Sequence, residues 1–282
     1  MKILVASLIV VTACLDEAPA ARSRAQESAP PVVDPLHRPF DEILDLYVRD
    51  GLVYYRALKS DRERFDRYIA TLAAVGADTV NSWPPNRQLA FWINAYNAFV
   101  LRTVIDHYPI RGRAPDFPAI SIRQIPGSFE RRPHRAGGRT LTLDALERDV
   151  IAGFGDPRAL LALGRGALGG GRLKSEAYTA DRLETQLTTM TSELVERREL
   201  VFVDIQNEQL SVSPIFSWRE AAFVKLADRA PAVFNTRSPI ERAVLALINP
   251  LLVPNEAEFL TKNTFRMVFH NFDWSLNDLT GR

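Results

Sequence analysis

Apolar residues fill almost every position between residues 89 and 105. Pro84-Pro85 stands just before this run and favours a helix start, so the pattern predicts a helix from about Asn86 to His107. A helix that is apolar on all its faces belongs in the middle of a protein core. Asn94 and Asn97 lie three residues apart on this helix, and we expect both amides to be buried and hydrogen-bonded.

Shorter patterns predict the elements around this central helix. The predicted helices span residues 60–76 with Ser60 as N-cap, 142–152 with Thr142 as cap, 179–198, 216–227 and 239–248. The predicted strands are a hairpin over 201–212 and a strand-like stretch over 264–274, and Gly137-Gly138 predicts a tight turn. Strands are few and do not alternate with helices. The pattern therefore indicates an α+β fold, a helix-rich single domain with a buried central helix and a small antiparallel sheet.

The composition limits the class of partner. Hydrophobic residues make up 46% of the 282 residues, which is ordinary for a globular protein with a core. Basic and acidic residues number 35 and 34 and are mixed along the chain, so no extended field attracts nucleic acid or an anionic membrane surface. The sequence therefore predicts no nucleic-acid partner.

The N-terminus carries an export pattern. Lys2 precedes an apolar run over residues 3–13, which is too short to cross a bilayer as a helix and is typical of a signal peptide. The run ends in Val-Thr-Ala-Cys, which resembles a bacterial lipobox with Cys14, the only cysteine of the chain, as the lipidated residue. Cleavage at Ala18-Pro19-Ala20 by the small-x-small rule stays open as the alternative.

These features predict a domain organisation and a location. Residues 1–14 are a signal peptide with lipobox, 15–39 a disordered tether rich in Ala, Pro, Ser and charge, and 40–282 a single globular domain. We expect an exported protein that faces the periplasm and is anchored to the outer membrane by a lipid on Cys14. A soluble periplasmic or secreted protein is the alternative. The lipid anchor is the only membrane contact that the sequence predicts.

A glycine-rich stretch, LGRGALGGG over 163–171, contains the G-x-G-x-x-G spacing of dinucleotide-binding loops. Such a loop needs a strand before it, but the preceding run lacks the β-branched residues that strands favour. A P-loop would need Lys where the chain has Arg172. The sequence therefore predicts no nucleotide or other cofactor, and the simplest interpretation of the stretch is a flexible turn before Leu173.

Three separated segments carry a family resemblance. They are LAFWINAYNAFVL, DPRALLALGRGALGGGRLKSEAYTADRLETQL and FDWSLND. Together they resemble a bacterial and plant family catalogued as domain of unknown function 547, over about residues 40 to 278. In that family the second segment carries a His, then Cys-Gly-Ala, then Ser-Cys-Pro. This chain has Leu160 at the position of the His, Arg165 at the first Cys, and Gly169, Gly170 and Gly171 at Ser-Cys-Pro.

The meaning of these replacements depends on what the family residues do. If the family's His and Cys are a base and a nucleophile, thiol catalysis is lost here, because leucine cannot accept a proton and arginine cannot attack. If its two cysteines form a disulfide, only a cross-link is lost. The resemblance also places Glu147, Asp156 and Arg158 at charged positions of the family pattern. These residues would lie around a cleft near the glycines. With the two buried amides, the candidate cleft residues are Asn94, Asn97, Glu147, Asp156, Arg158, Arg165, Gly169 and Gly170.

The histidines give no metal prediction. None of the four forms the His-x-x-x-His spacing by which a helix presents two ligands to one metal. His134 lies among Arg131, Arg132 and Arg135 in a basic loop. Two interpretations of this loop stay open, a solvated surface loop and an anion site.

Two functional hypotheses follow from the altered positions. The leading one is a non-catalytic binding or scaffold module at the cell envelope, whose partner is an envelope protein or a small ligand. The alternative is a hydrolase or transferase that uses non-thiol groups such as Asp156, Arg158 or His134 around the same cleft. A concave pocket with converging ionisable groups would favour the enzyme, and a filled or flat surface would favour the module.

Overall fold

A computed structural model describes residues 34–281. The predicted signal peptide, Cys14 and residues 15–33 of the predicted tether lie outside the described residues. The helices are α1 Arg38–Tyr47, α2 Tyr55–Ser60, α3 Glu63–Ala74, α4 Ala77–Asn81, α5 Pro85–His107, α6 Leu143–Ala145, α7 Arg158–Leu161, α8 Leu183–Glu196, α9 Ile215–Trp218, α10 Glu220–Phe223, α11 Pro239–Ile248 and α12 Pro254–Thr261. The strands are β1 Val48–Arg49, β2 Leu52–Val53, β3 His134–Ala136, β4 Arg139–Leu141, β5 Val201–Asp204, β6 Gln209–Val212 and β7 Arg266–Phe269. These elements confirm the helix-rich α+β domain.

The central helix α5 begins one residue before its predicted start and ends at the predicted residue. Every residue from 89 to 101 is buried, so the helix packs against the body on all sides. Pro85 begins it at little cost, because the N–H that proline lacks would have no partner in the first turn. Within residues 34–281 no helix combines the length and hydrophobicity that crossing a membrane requires.

Two predicted helices are divided in the structure. The prediction over 60–76 is wrong at its start, because Ser60 ends α2 and a separate helix, α3, begins at Glu63. The prediction over 216–227 breaks at Arg219, whose backbone (φ −125°, ψ 44°) leaves the helical region between α9 and α10. A 3₁₀ turn continues that chain to residue 229. This break separates Trp218, the last residue of α9, from α10.

The helix predicted over 142–152 starts as expected and then changes its winding. Thr142 Oγ1 accepts a hydrogen bond from the Ala145 N–H at 3.1 Å and caps α6. The chain then passes into a π turn over Leu146–Val150 and a 3₁₀ turn over Ile151–Phe154. π turns are rare and often occur at functional sites. This one carries Glu147, which is buried.

The main sheet has the order β5-β6-β7 and is mixed rather than purely antiparallel. The predicted hairpin is confirmed as β5 and β6, which pair antiparallel. The predicted strand over 264–274 is confined to the four residues of β7, which pair parallel with β6. Parallel pairing is possible because the connection runs through α9 to α12, far longer than a hairpin turn.

The turn predicted at Gly137-Gly138 joins β3 and β4. Ala136 and Arg139 face each other across it, and the two glycines have φ +54° and +70°. This is the two-residue hairpin turn that requires positive φ at both positions and therefore favours glycine. The Gly137 N–H donates to the Leu72 carbonyl of α3 at 3.3 Å, which holds the hairpin against that helix.

The folded body begins before residue 40, which corrects the predicted tether boundary. Arg87 Nε donates to Asp34 Oδ2 at 2.7 Å, and His37 is buried with its Nδ1 2.8 Å from the Tyr68 hydroxyl. At the other end, the Asn277 side chain donates to the Gly51 carbonyl at 2.7 Å. These contacts hold the first and last described segments onto the domain.

Candidate functional site

The glycine-rich stretch is a buried internal segment, so the prediction of a flexible turn is wrong. All of residues 163–171 except Leu168 are buried. A Cβ on Gly171 would lie 2.0 Å from the Leu161 carbonyl oxygen, and one on Gly169 would lie 2.6 Å from the Asp273 nitrogen. Glycine is needed at these positions because other backbone segments approach closely. The stretch follows the short helix α7 instead of a strand, so it lacks the context of a dinucleotide loop.

Asn97 fixes this stretch to the central helix. Its Oδ1 accepts from the Gly164 N–H at 2.8 Å, and its Nδ2 donates to the Ala162 carbonyl at 3.2 Å. Asn94 makes the same paired contact with the Tyr178 backbone, at 2.8 and 2.9 Å. The expectation that both amides are buried and hydrogen-bonded is confirmed. Because their hydrogen bonds go to backbone, they position loops and are not free to contact a ligand.

Arg165, which the resemblance aligns with a cysteine of the family, is 2% exposed. Its Nη2 donates to Glu147 Oε1 at 2.9 Å, and its Nη1 lies 3.2 Å from the Leu160 carbonyl and 3.3 Å from the Leu163 carbonyl. Burial opposes the charged form of the guanidinium, but the charge of Glu147, the Tyr96 phenol and the hydrogen bond to Glu147 together outweigh burial and raise the pKa of Arg165. Arg165 therefore remains a cation that cannot serve as a base.

Glu147 has two further neighbours, Tyr96 and Arg219. The Tyr96 hydroxyl lies 3.4 Å from its Oε2, and burial followed by the charge of Glu147 raises the pKa of that phenol. Arg219 Nε lies 3.3 Å from Glu147 Oε1, although the angle does not make this contact a hydrogen bond. The other end of the Arg219 guanidinium pairs with Asp144. The carboxylate is thus surrounded by donors and positive charge.

A pocket of about 280 Å³ lies next to the Arg165–Glu147 ion pair. We call it the tryptophan pocket; its lining residues are Arg123, Phe129, Glu130, Asp144, Glu147, Arg165, Trp218, Arg219 and Trp274. The Trp218 and Trp274 rings are 5.8 Å apart and nearly parallel, at 11°. The Arg123 guanidinium lies 4.4 Å from the centre of the Trp274 ring. The wall is therefore aromatic and the rim and floor are charged.

The charges of the tryptophan pocket are already paired with each other. Arg123 pairs with Glu130, Arg165 with Glu147, and Arg219 with Asp144. This convergence of ionisable groups is what the enzyme hypothesis expects, but the lining contains no Ser, Thr, Cys, Lys or His. Among the residues that the structure describes, the groups of the pocket that could act as nucleophile or base are therefore three carboxylates, Glu130, Asp144 and Glu147, each of which is paired with an arginine.

The other predicted cleft residues lie elsewhere, so the expected single cleft is not formed. Asp156 and Arg158 pair at 2.7 Å and line a different cavity, in which Arg158 also contacts Glu184 at 2.7 Å. Gly170 lines a third cavity, where its carbonyl accepts from Arg197 at 2.9 Å. The Gly169 N–H donates to the Asp273 carbonyl at 2.9 Å. Of the eight residues, only Glu147 and Arg165 line the tryptophan pocket.

The sequence did not predict most of the tryptophan pocket. Trp218 and Arg219 follow the β5–β6 hairpin, and the sequence placed them inside one helix. Trp274 is the last residue of the predicted strand over 264–274, and Arg123 lies in the segment between α5 and β3. No short-range pattern links these segments, since they meet only through tertiary packing. In the described part of the chain, no group of three or more His, Cys, Asp or Glu side chains is close enough to hold a metal ion.

A comparison with known protein families matches the segment that contains the Arg165–Glu147 ion pair. Residues 80–195 match the family described as "Protein of unknown function, DUF547". This segment, 116 of the 282 residues, is similar to the DUF547 family. No curated protein and no solved structure matches the chain.

The DUF547 segment contains only part of the tryptophan pocket. Glu147 and Arg165 lie inside residues 80–195, whereas Trp218, Arg219 and Trp274 follow the matched segment. Arg165 and Glu147 thus face aromatic and charged groups, Trp218, Arg219 and Trp274, that a later part of the chain supplies. This arrangement makes the pocket a property of the whole domain.

Proposed function

We propose that this protein is a non-catalytic binding module whose ligand enters the tryptophan pocket. The observation that carries the proposal is the buried pair of Arg165 and Glu147, 2.9 Å apart at the position where the family has cysteine. A buried charge pair is costly to separate, because each partner would lose compensation in a medium of low polarity. Protonation of Glu147 would likewise leave the buried Arg165 cation without a charged partner.

The pocket wall indicates the class of ligand. Two nearly parallel indoles and a stacked guanidinium present flat surfaces, which bind rings through their faces. The paired carboxylates and guanidinia at the rim offer acceptors and donors without a net charge. The volume, about 280 Å³, is at the small end of ligand pockets. The ligand is therefore a small, uncharged or zwitterionic ring compound, such as a sugar or an aromatic amino acid.

Tryptophan fluorescence tests this proposal. The full chain is titrated with a panel of monosaccharides and aromatic amino acids, and Kd is read from the change in emission. Two of the four tryptophans line the pocket, and the other two, Trp83 and Trp92, do not. We expect saturable binding that Trp218→Ala or Trp274→Ala weakens at least about tenfold, corresponding to about 1.4 kcal/mol. Trp83→Ala is the matched control and should leave Kd unchanged.

The same titrations separate the module from the enzyme. Each probe that binds is incubated with the protein, and products are sought by mass spectrometry. Conversion of a probe that Glu147→Gln abolishes would favour the hydrolase or transferase and contradict a non-catalytic role. Absence of binding across the panel, or equal loss in the Trp83→Ala control, would remove the pocket as the ligand site.

The location forms a separate part of the proposal. We infer that the protein is exported and anchored by a lipid on Cys14, which is supported by the lipobox-like Val-Thr-Ala-Cys sequence. Palmitate labelling of the wild-type chain, with Cys14→Ala as the comparison, tests the anchor. Label on the wild type alone supports it. Equal absence of label in both chains, with the protein in the soluble periplasmic fraction, would favour the alternative cleavage site.

A further inference from the structure

A second cavity, of about 910 Å³, lies between α3, α5 and the segment that leads into β3. It shares no lining residue with the tryptophan pocket. We call it the arginine groove, because four arginines line it: Arg102, Arg131, Arg132 and Arg135. Its volume is within the usual range for small-molecule sites.

The charge of the groove is not balanced. Asp66 and Asp106 are its acidic lining residues, so the four arginines leave a surplus of two positive charges. Both aspartates already pair with Arg62, at 2.8 and 2.7 Å. Asp106 also pairs with Arg102, at 3.3 Å.

The other three arginines of the groove are available. Within the described residues Arg131, Arg132 and Arg135 make no ion pair with a carboxylate. Arg131 and Arg135 are exposed, and Arg132 is half-buried. An anion that entered the groove would therefore not have to displace a protein carboxylate from them.

Arg132, one of these three arginines, is held in place by a histidine. Arg132 Nη2 lies 3.0 Å from His107 Nε2, and His107 Nδ1 lies 2.8 Å from the Thr103 carbonyl, so the ring donates to the carbonyl and accepts from Arg132. Arg131 lies against Gly127, where a Cβ would come 2.8 Å from the Arg131 Cβ. Side chains that are already positioned lose less conformational entropy when they bind.

His134 adds an unused polar atom to the groove. Its ring stacks on Phe99, with centroids 4.6 Å apart and an angle of 17°. Its Nε2 is buried and has no hydrogen-bond partner among the described residues. A buried polar atom without a partner costs free energy, which a ligand oxygen would recover.

We propose that the arginine groove binds a ligand that carries a phosphate group. One planar carboxylate is satisfied by a single guanidinium fork, whereas three unpaired guanidinia and an imidazole suit a group with three or more acceptor oxygens and a charge near two. Phe99, Ile69 and Ala73 line the groove and give the rest of the ligand an apolar surface. The phosphate belongs either to a soluble phosphorylated metabolite or to a lipid headgroup. This proposal does not depend on the ligand of the tryptophan pocket.

Calorimetry of the full chain tests the soluble source, with inorganic phosphate, pyrophosphate and glucose 6-phosphate as probes. Flotation with phosphatidylglycerol vesicles tests the lipid source, and phosphatidylcholine vesicles serve as the neutral comparison. The test variant is Arg131→Gln with Arg135→Gln, both at exposed positions. The control is Arg111→Gln with Arg113→Gln, two exposed arginines outside the groove lining that change the net charge equally.

We expect at least one phosphate probe to bind, and the groove variant to weaken it at least about tenfold while the control stays within about twofold. His134→Phe keeps the ring on Phe99 and removes the nitrogens, so it should weaken binding severalfold. Binding of the soluble probes assigns a metabolite, and binding of phosphatidylglycerol alone assigns a headgroup. Absence of binding to every probe, equal loss in the two double variants, or equal flotation with phosphatidylcholine would overturn the proposal.

Discussion

Arginine is enclosed and paired in the tryptophan pocket, whereas in the arginine groove it is available to a ligand. Arg165 is 2% exposed and bonded to Glu147, and the other two arginines of the pocket also have carboxylate partners. In the groove, Arg131 and Arg135 are exposed and have no carboxylate partner in the described part of the chain. A net charge of +1 for the whole chain conceals this local difference. The partners of each arginine, more than their number, determine what each cavity can bind.

The largest expected effect on stability comes from breaking the Arg165–Glu147 pair of the tryptophan pocket. Arg165→Met should lower the free energy of unfolding by about 3–5 kcal/mol, because it leaves the buried Glu147 carboxylate without its main partner. Urea denaturation at neutral pH measures the change. Arg148→Met is the control, since Arg148 lies in the same turn as Glu147 but its ion pairs are exposed and contribute little. Equal effects of the two substitutions would show that the buried pair has no special role.

The second-largest expected effect is a loss of stability at acid pH, caused by His37, the most deeply buried histidine. Burial lowers the pKa of His37 to about 4, whereas an unfolded chain titrates near 6.5. The unfolded state therefore binds more protons between these values, so the stability present above about pH 6.5 falls by about 3 kcal/mol as the pH drops to about 4. Thermal or urea unfolding across this range measures the loss.

His134 in the arginine groove should contribute to the same loss of stability in acid. Burial, followed by the charges of Arg132 and Arg102, also lowers the pKa of His134 to about 4. His37→Asn should flatten the pH profile and leave the His134 part, which His134→Phe should remove. A profile that neither substitution changes would mean that other groups determine the acid sensitivity.

The sequence predicts the locally encoded parts of this fold well. The central helix and the β5–β6 hairpin appear where the hydrophobic period placed them, and Gly137-Gly138 makes the predicted turn. Each of these depends on residues that are close in sequence. The break at Arg219 and the π turn around Glu147 were missed, because tertiary packing at the pocket overrides the local helical pattern there.

The candidate site shows the same limit. Family resemblance pointed to Arg165 and Glu147, which the structure brings together. It also pointed to Asp156 and Arg158, which pair with each other beside another cavity. Trp218 and Trp274, which form the aromatic wall of the pocket, come from a later part of the chain. Their position follows from the packing of separate segments, which no spacing rule in one sequence records.

A smaller effect on stability is expected from Asn97, whose side-chain amide holds the backbone beside Arg165 of the tryptophan pocket. Asn97→Ala should cost about 2 kcal/mol, because the Gly164 N–H and the Ala162 carbonyl would be left buried without partners. Urea denaturation measures the loss. The Kd of a pocket ligand should weaken in parallel, since Arg165 follows the released residue. Unchanged stability would mean that water replaces the amide and that Asn97 does not position the stretch.

The smallest expected effect on stability is that of substitutions in the arginine groove. Arg131→Gln with Arg135→Gln should change the free energy of unfolding by only a few tenths of a kcal/mol, in the stabilising direction at low salt, because it relieves repulsion between unpaired cations. Unfolding at low and high salt measures the effect, which added salt should reduce. A loss of more than about 1 kcal/mol would show that these arginines are structural, as Arg165 is.

A double-mutant cycle between Arg165 and Glu147 tests the central claim most directly. The free energies of unfolding of the wild type, Arg165→Met, Glu147→Gln and the double variant give the coupling between the two side chains. The account predicts a coupling of about 2–3 kcal/mol, with the double variant more stable than Arg165→Met alone. Additive effects within about 0.5 kcal/mol would contradict it, because Glu147 would then be free to act as a base.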